Sequence, residues 1–245
     1  MNRTSITGLA CLLAVALTAC AGGGEPPAPS GSPASAPLEA LKEPANSMSV
    51  SPPLSPAPVS AEALAAYRAL LAGEPGALDR PPEGLELHQV TLPPAEELEY
   101  VLLDLDGDGG AELVVQMVAQ PHQFNAVFHY GDGELSCWQY DIMEMSCRDY
   151  PLEDGAMVRQ YDTGTGPNRY SNLYTVFRYL PDGETEECAS LAVHQDTQED
   201  GTEVFTYLVD DAEVDQDTFA AEFEELVGSR LLSLEDWTPA TERPG

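Results

Sequence analysis

The sequence predicts an α+β domain: a twisted antiparallel β-meander with one helix from each end of the domain packed against it. Three observations carry this. Short β-rich runs follow one another with turn signals between them, notably Asp132-Gly133, Asp154-Gly155, Asp182-Gly183 and Asp200-Gly201, and Asp-Gly between such runs is a strong hairpin signal. Two capped amphipathic stretches flank the series. No shared signature recurs at a fixed period, which argues against a propeller or solenoid array.

The chain begins with Met1-Asn2-Arg3, weakly basic, and an apolar run from about Ile6 to Leu17. That run is too short to span a bilayer comfortably and has the length of a secretory apolar region. It ends in Leu17-Thr18-Ala19-Cys20, then Ala21-Gly22-Gly23-Gly24. The segment resembles the lipobox of bacterial lipoproteins. The resemblance implies a signal peptide over residues 1–19, acylation (palmitate or similar) of Cys20 as the first mature residue, and a lipid anchor on the extracytoplasmic face of the cell membrane. Two or three acyl chains anchor stably where one does not. An ordinary signal peptide with a chance cysteine is the plainer alternative.

Residues 20–59 are rich in Pro, Ala, Ser and Gly. Such composition cannot bury enough apolar surface to fold, so the stretch is expected to be a disordered tether. Its contour is on the order of 100 Å. What remains is roughly 185 residues, enough for one domain with a real core, expected over residues 60–238.

Within that domain, Ser60 is placed to cap a helix over 61–72 whose apolar side carries Leu64, Tyr67, Leu70 and Leu71, with Gly73 to end it. After a Pro- and Gly-rich connector, Leu85–Leu92 alternates as a strand would, with Pro93-Pro94 as a stop. Further strands are expected at Phe124–Tyr130, Leu135–Tyr140, Met143–Tyr150, Met157–Tyr161, Leu173–Leu180, Cys188–His194 and Val204–Val209. Asp215 is a candidate cap for a final helix whose stripe is Phe219, Phe223, Leu226 and Val227. The tail, residues 239–245, is expected to fray.

The densest chemistry lies at Asp104-Leu105-Asp106-Gly107-Asp108-Gly109-Gly110-Ala111-Glu112, between apolar runs. Calcium takes six to eight oxygens, chiefly carboxylates and carbonyls. Alternating aspartates on a tight loop aim at one centre, so Asp104, Asp106 and Asp108 are candidate side-chain ligands, Gly110 a carbonyl ligand and Glu112 the residue that closes the sphere. Leu105 and Leu113 would anchor the loop in the core. The twelfth position, where an EF-hand needs a carboxylate, is Val115, and the following run is β-like. The pattern instead resembles the D-x-D-x-D-G-x-x-D/E loop of FG-GAP and VCBS repeats, over about residues 101–116 and in one copy. That resemblance implies a structural Ca2+. The wider layout is also similar to uncharacterised surface lipoproteins of Gram-positive bacteria. A solvated acidic turn is the plainer alternative, weakened by the mutual repulsion of four crowded carboxylates.

Composition excludes some partners. Lys+Arg is 10 against Asp+Glu 42, a formal net charge of −32, which repels nucleic acid and anionic lipid surfaces. Cys137 and Cys147 lie either side of a turn near Asp141-Ile142. They are a possible disulfide across a hairpin, with buried thiols as the alternative. His88, His122, His129 and His194 are scattered without a catalytic spacing and read as structural. Tyrosines and Trp138 concentrate on the expected sheet, as cross-strand packing or a ligand-binding face. The leading expectation is therefore a membrane-anchored, non-enzymatic, calcium-stabilised module that binds an envelope ligand or protein. The alternative is an envelope hydrolase acting on glycan or peptide.

Overall fold

The computed structural model describes residues 58–140, 146–166, 168–242 and 244. The expected signal peptide, Cys20 and the expected tether up to residue 57 lie outside them, as does the start of the strand expected at Met143–Tyr150.

Helix α1 spans Ala61–Leu71, and the Ser60 side chain accepts from the Ala63 amide at 3.0 Å, the cap its position predicts. It buries Ala63, Tyr67 and Leu71. Four strands follow: β1 (Leu98–Leu103), β2 (Glu112–Met117), β3 (Gln120–Gly131) and β4 (Glu134–Tyr140). Six more continue the chain: β5 (Cys147–Pro151), β6 (Met157–Gly166), β7 (Arg169–Tyr179), β8 (Thr185–Thr197), β9 (Glu203–Val209) and β10 (Ala212–Val214). Helix α2 (Gln216–Leu226) starts where Asp215 accepts from the Thr218 amide at 2.7 Å, and β11 (Thr238–Pro239) closes the chain.

The fold class is the expected antiparallel α+β, but the meander is divided. One sheet has the order β11-β1-β2-β3-β4 and the other β10-β9-β8-β7-β6-β5. The layers run α1, first sheet, second sheet, α2. Period-2 alternation explains how a strand serves two layers. On β2, Leu113 and Val115 join Tyr67 and Leu71 under α1, while Val114 joins Met157, Phe177 and Trp237 between the sheets. On the outer side of the second sheet, Val158, Tyr174 and Leu191 pack with Phe219 of α2. Burying such a side chain contributes about 1.5–3 kcal/mol.

Four expectations need correction. The chain changes sheets between β4 and β5, so Cys137 and Cys147 are not partners across a hairpin and no disulfide joins them. Cys137 faces the α1 core and its thiol donates to the Gln139 carbonyl, whereas Cys147 pairs with Tyr161 in the other sheet. Leu85–Leu92 is not a strand. A 3₁₀ turn forms at Leu87–Gln89, tied by the Glu86 amide to the Gln89 side chain at 2.7 Å, and Leu87 is exposed. Its apolar residues Val90 and Leu92 lie against the α1 core as a strap. Residues 239–242 do not fray: Glu99 and Tyr100 pair with Pro239 and Thr238, Ala240 is buried, and the Tyr100 hydroxyl donates to the Glu242 carbonyl at 2.9 Å. Finally, Met157, Leu173 and Cys188 fall inside longer strands than their apolar runs suggested, because the β6–β7 and β8–β9 hairpins continue through polar residues.

Candidate metal centre

Strands β1 and β2 pair in register from Leu98↔Met117 to Leu103↔Glu112, so residues 104–111 are the loop of a hairpin. Leu105 is fully buried between the sheets and Leu113 under α1, the anchoring their positions predict. Gly107 and Gly109 take φ of 77° and 89°, left-handed conformations that let the loop turn back on itself.

Backbone amides fix the aspartates. Asp104 accepts from Gly107 at 2.7 Å and from Gly109 at 3.1 Å; Asp106 accepts from Asp108 at 3.0 Å; Asp108 accepts from Gly110 at 2.6 Å. Gly110 thus enters the site by orienting Asp108. One ligand atom from each of Asp104, Asp106 and Asp108 lies within 4.8 Å of the others. A second set on the same scale is Asp106, Glu112 and His129. Asp106 belongs to both. Its Oδ2 is buried without a hydrogen-bond partner among the described residues, and burial raises its pKa. At such separations each pair of negative charges costs roughly 3–4 kcal/mol at an intermediate dielectric. An orphan carboxylate oxygen between two carboxylate groups fits a cation, and these clusters can hold a metal ion.

Glu112 lies on the inner side of the loop. It is 1% exposed, its Oε2 accepts from the Leu105 amide at 2.8 Å, and its Oε1 faces His129 Nδ1 at 3.0 Å. It forms the back wall of the loop and belongs to the second ligand set. Burial pushes its carboxyl upward against the opposing pull of His129 and Leu105. The hydrogen bond to Glu112 in turn raises His129. Tyr67 ties the loop to α1 by donating to the Ala111 carbonyl at 2.8 Å; burial, then the Glu112 charge, raises its phenol.

His129 is the residue that sequence reading missed. It stands directly across β2–β3 from Glu112, one step beyond the pair Leu113↔Phe128. Counting back from the Val118-Ala119 turn would miss it, because an irregularity there lets Met117 pair with Gln120 but Gln116 with Asn125. The second sheet also reaches the loop. Gly155, at φ 81°, lies so close that a Cβ there would sit 2.0 Å from the Asp104 carbonyl oxygen.

His122 and His194 are spent on structure, and His88 is exposed beside Glu86. His122 stacks on Tyr150 at 4.3 Å, and His194 Nδ1 meets the Ser171 hydroxyl at 2.7 Å, with Ser171 only 1% exposed. A hydroxyl so enclosed offers no approach to a substrate. Comparison with family models, with curated proteins and with solved structures finds no match to this chain.

Proposed function

We propose that this chain is a lipid-anchored extracytoplasmic protein, held to the membrane through Cys20, whose folded domain is a calcium-stabilised module that binds a ligand or protein in the envelope. The observation that carries the calcium reading is Asp106: it joins both ligand sets, and its inward oxygen is buried with no hydrogen-bond partner among the described residues. Four carboxylates on a constrained loop favour calcium over softer metals, which prefer thiolate and imidazole. The presence of His129 beside Glu112 gives the loop a base on one side only, so the Asp104–Asp108 side depends on a cation. The anchoring part rests on the Leu17–Cys20 motif and the apolar run before it. A long Pro- and Ala-rich stretch between that motif and α1 suits a module that works at a distance from the membrane.

Two measurements test the reading. Calorimetric titration of the metal-stripped full chain should show calcium binding in the range of extracellular modules, roughly 10⁻⁴–10⁻³ M, with Asp106→Asn abolishing the heat. No heat in wild type would defeat the calcium reading. Cys20→Ser should move the protein from the membrane fraction to the soluble one; retention on the membrane would defeat the anchor.

A further inference from the structure

Two clefts open where the β3–β4 and β7–β8 turns approach each other. One, of about 570 Å³, is walled by Trp138, Phe177 and Tyr179. The other, of about 610 Å³, runs between Arg80–Glu83 and Pro181–Thr185, with His129 at its side. Trp138, Gly183 and Thr185 line both, so the clefts join at the indole into one groove.

This groove is built from fixed parts. Leu180 and Gly183 amides donate to the Glu184 and Leu180 carbonyls at 2.8 Å each, which closes the β7–β8 turn. Gly183 is at φ 87°, and a Cβ there would meet Trp138 at 2.6 Å, so the turn seats directly on the indole. Trp138 stacks on His129 at 4.4 Å and on Tyr179 at 5.3 Å. The Tyr179 hydroxyl in turn donates to Gln139.

Its lining is mainly acidic. Glu83, Asp132, Asp182, Glu184 and Glu187 line the two clefts. The two guanidiniums present are already matched: Arg80 to Glu134 at 3.0 Å, and Arg159 to both oxygens of buried Asp149 at 2.8 Å. A cleft lined by unmatched carboxylates over low-dielectric walls focuses a negative field. The aromatic wall suits hydrocarbon stems and the rim suits charged heads, a division that lysine and arginine side chains satisfy.

We propose that this groove binds a cationic, extended peptide segment, with basic side-chain stems lying in the two clefts and their heads at the rim carboxylates. The proposal rests on the binding-module reading and names its partner class. A peptide fits better than a lone cation because the site is two joined clefts with an apolar wall between acidic rims.

The test uses the full chain at physiological ionic strength, saturated with calcium, and a fluorescein-labelled decapeptide of alternating lysine and alanine followed by anisotropy. The triple variant Asp182→Asn/Glu184→Gln/Glu187→Gln should bind roughly tenfold more weakly than wild type. A control triple, Glu203→Gln/Glu213→Gln/Glu225→Gln, removes the same charge from exposed positions on β9, β10 and α2 and should bind as wild type does. Equal losses in the two triples would reduce the effect to net charge and overturn the proposal. Binding of the lysine-acetylated peptide as tightly as the cationic one, or no binding at all, would overturn it too. Melting with and without calcium runs beside each titration. An intact calcium response without peptide binding sinks the groove alone; a missing calcium response sinks the metal reading instead.

Discussion

In the second sheet and its turns, acidic side chains meet arginines: buried Asp149 faces Arg159, Asp162 faces Arg148, and half-exposed Asp154 of the β5–β6 turn faces both Arg178 and Arg230. In the first sheet, the Asp104–Glu112 loop gathers four carboxylates, and among the described residues no lysine or arginine forms an ion pair with them; His129 alone stands against Glu112. Of the 10 basic residues in the chain, Arg148, Arg159, Arg169, Arg178 and Arg230 all serve the second sheet and its flank. The difference teaches how one acidic chain balances charge in two ways. One half carries its counter-charges on its own side chains, and the other gathers carboxylates that could hold a metal ion. Dependence on a metal should therefore concentrate at the first sheet, and the second should be indifferent to it.

The largest effect expected is at the half balanced by its own side chains. Asp149 is buried, with Arg159 and Gln139 both donating to it. Asp149→Ala removes three charge-assisted hydrogen bonds to a buried carboxylate and should lower unfolding free energy by about 3–5 kcal/mol. Urea denaturation should give the same loss in calcium and in chelator; a loss that differs between them would break the separation of the halves.

Gly155→Ala strikes the seam, where the second sheet touches Asp104. Positive φ and a Cβ 2.0 Å from a carbonyl oxygen leave no room. The expected cost is about 2–4 kcal/mol, together with weaker calcium binding by titration. Unchanged calcium affinity would show that the loop is positioned by the first sheet alone. Tyr67→Phe removes the bond to Ala111 on the loop's α1 side, together with the hydroxyl's contact with the Tyr130 backbone. It should cost about 1 kcal/mol in denaturant melts, and more of that cost should appear with calcium bound, when the loop's geometry matters most.

The smallest effect is a pH dependence at Asp154, which is partly exposed. Burial raises its pKa, but the Arg230 hydrogen bond and the two guanidinium charges outweigh that and hold it below the ordinary value. A depressed folded-state pKa stabilises the fold above the unfolded value, and this contribution disappears as pH falls through the folded value. The Tm gap between wild type and Asp154→Asn should be steady above about pH 4 and shrink below it. A gap that widens on acidification would reverse the assignment.

What the sequence disclosed was local. Alternating apolar residues, Asp-Gly turns, the Ser60 and Asp215 caps and the spacing of Asp104, Asp106 and Asp108 each act within a few residues, and each is where its pattern placed it. What it withheld depends on pairing at a distance. Nothing near Tyr140 announces that the next strand joins another sheet, so the Cys137–Cys147 proximity failed with the hairpin it assumed. Leu85–Leu92 alternates, but its backbone finds no strand to pair with. Thr238 and Pro239 look like a loose end, yet the open edge of β1 gives them a ladder. His129 is 17 residues from Glu112 and meets it only through the β2–β3 register. The Asp149–Arg159 pair likewise forms across the β5–β6 register, from two residues that look like ordinary surface charges in the sequence.

The central claim is that the loop's carboxylates repel one another until a cation joins them. The most direct test is the Tm of the full chain and of Asp106→Asn, each with saturating calcium and with chelator. Wild type should gain stability on adding calcium, and the variant should not. In chelator, where the charge removed was a repulsive one, Asp106→Asn should melt at or above wild type. A variant that melts well below wild type in chelator, or a wild type that melts identically with and without calcium, would contradict the account.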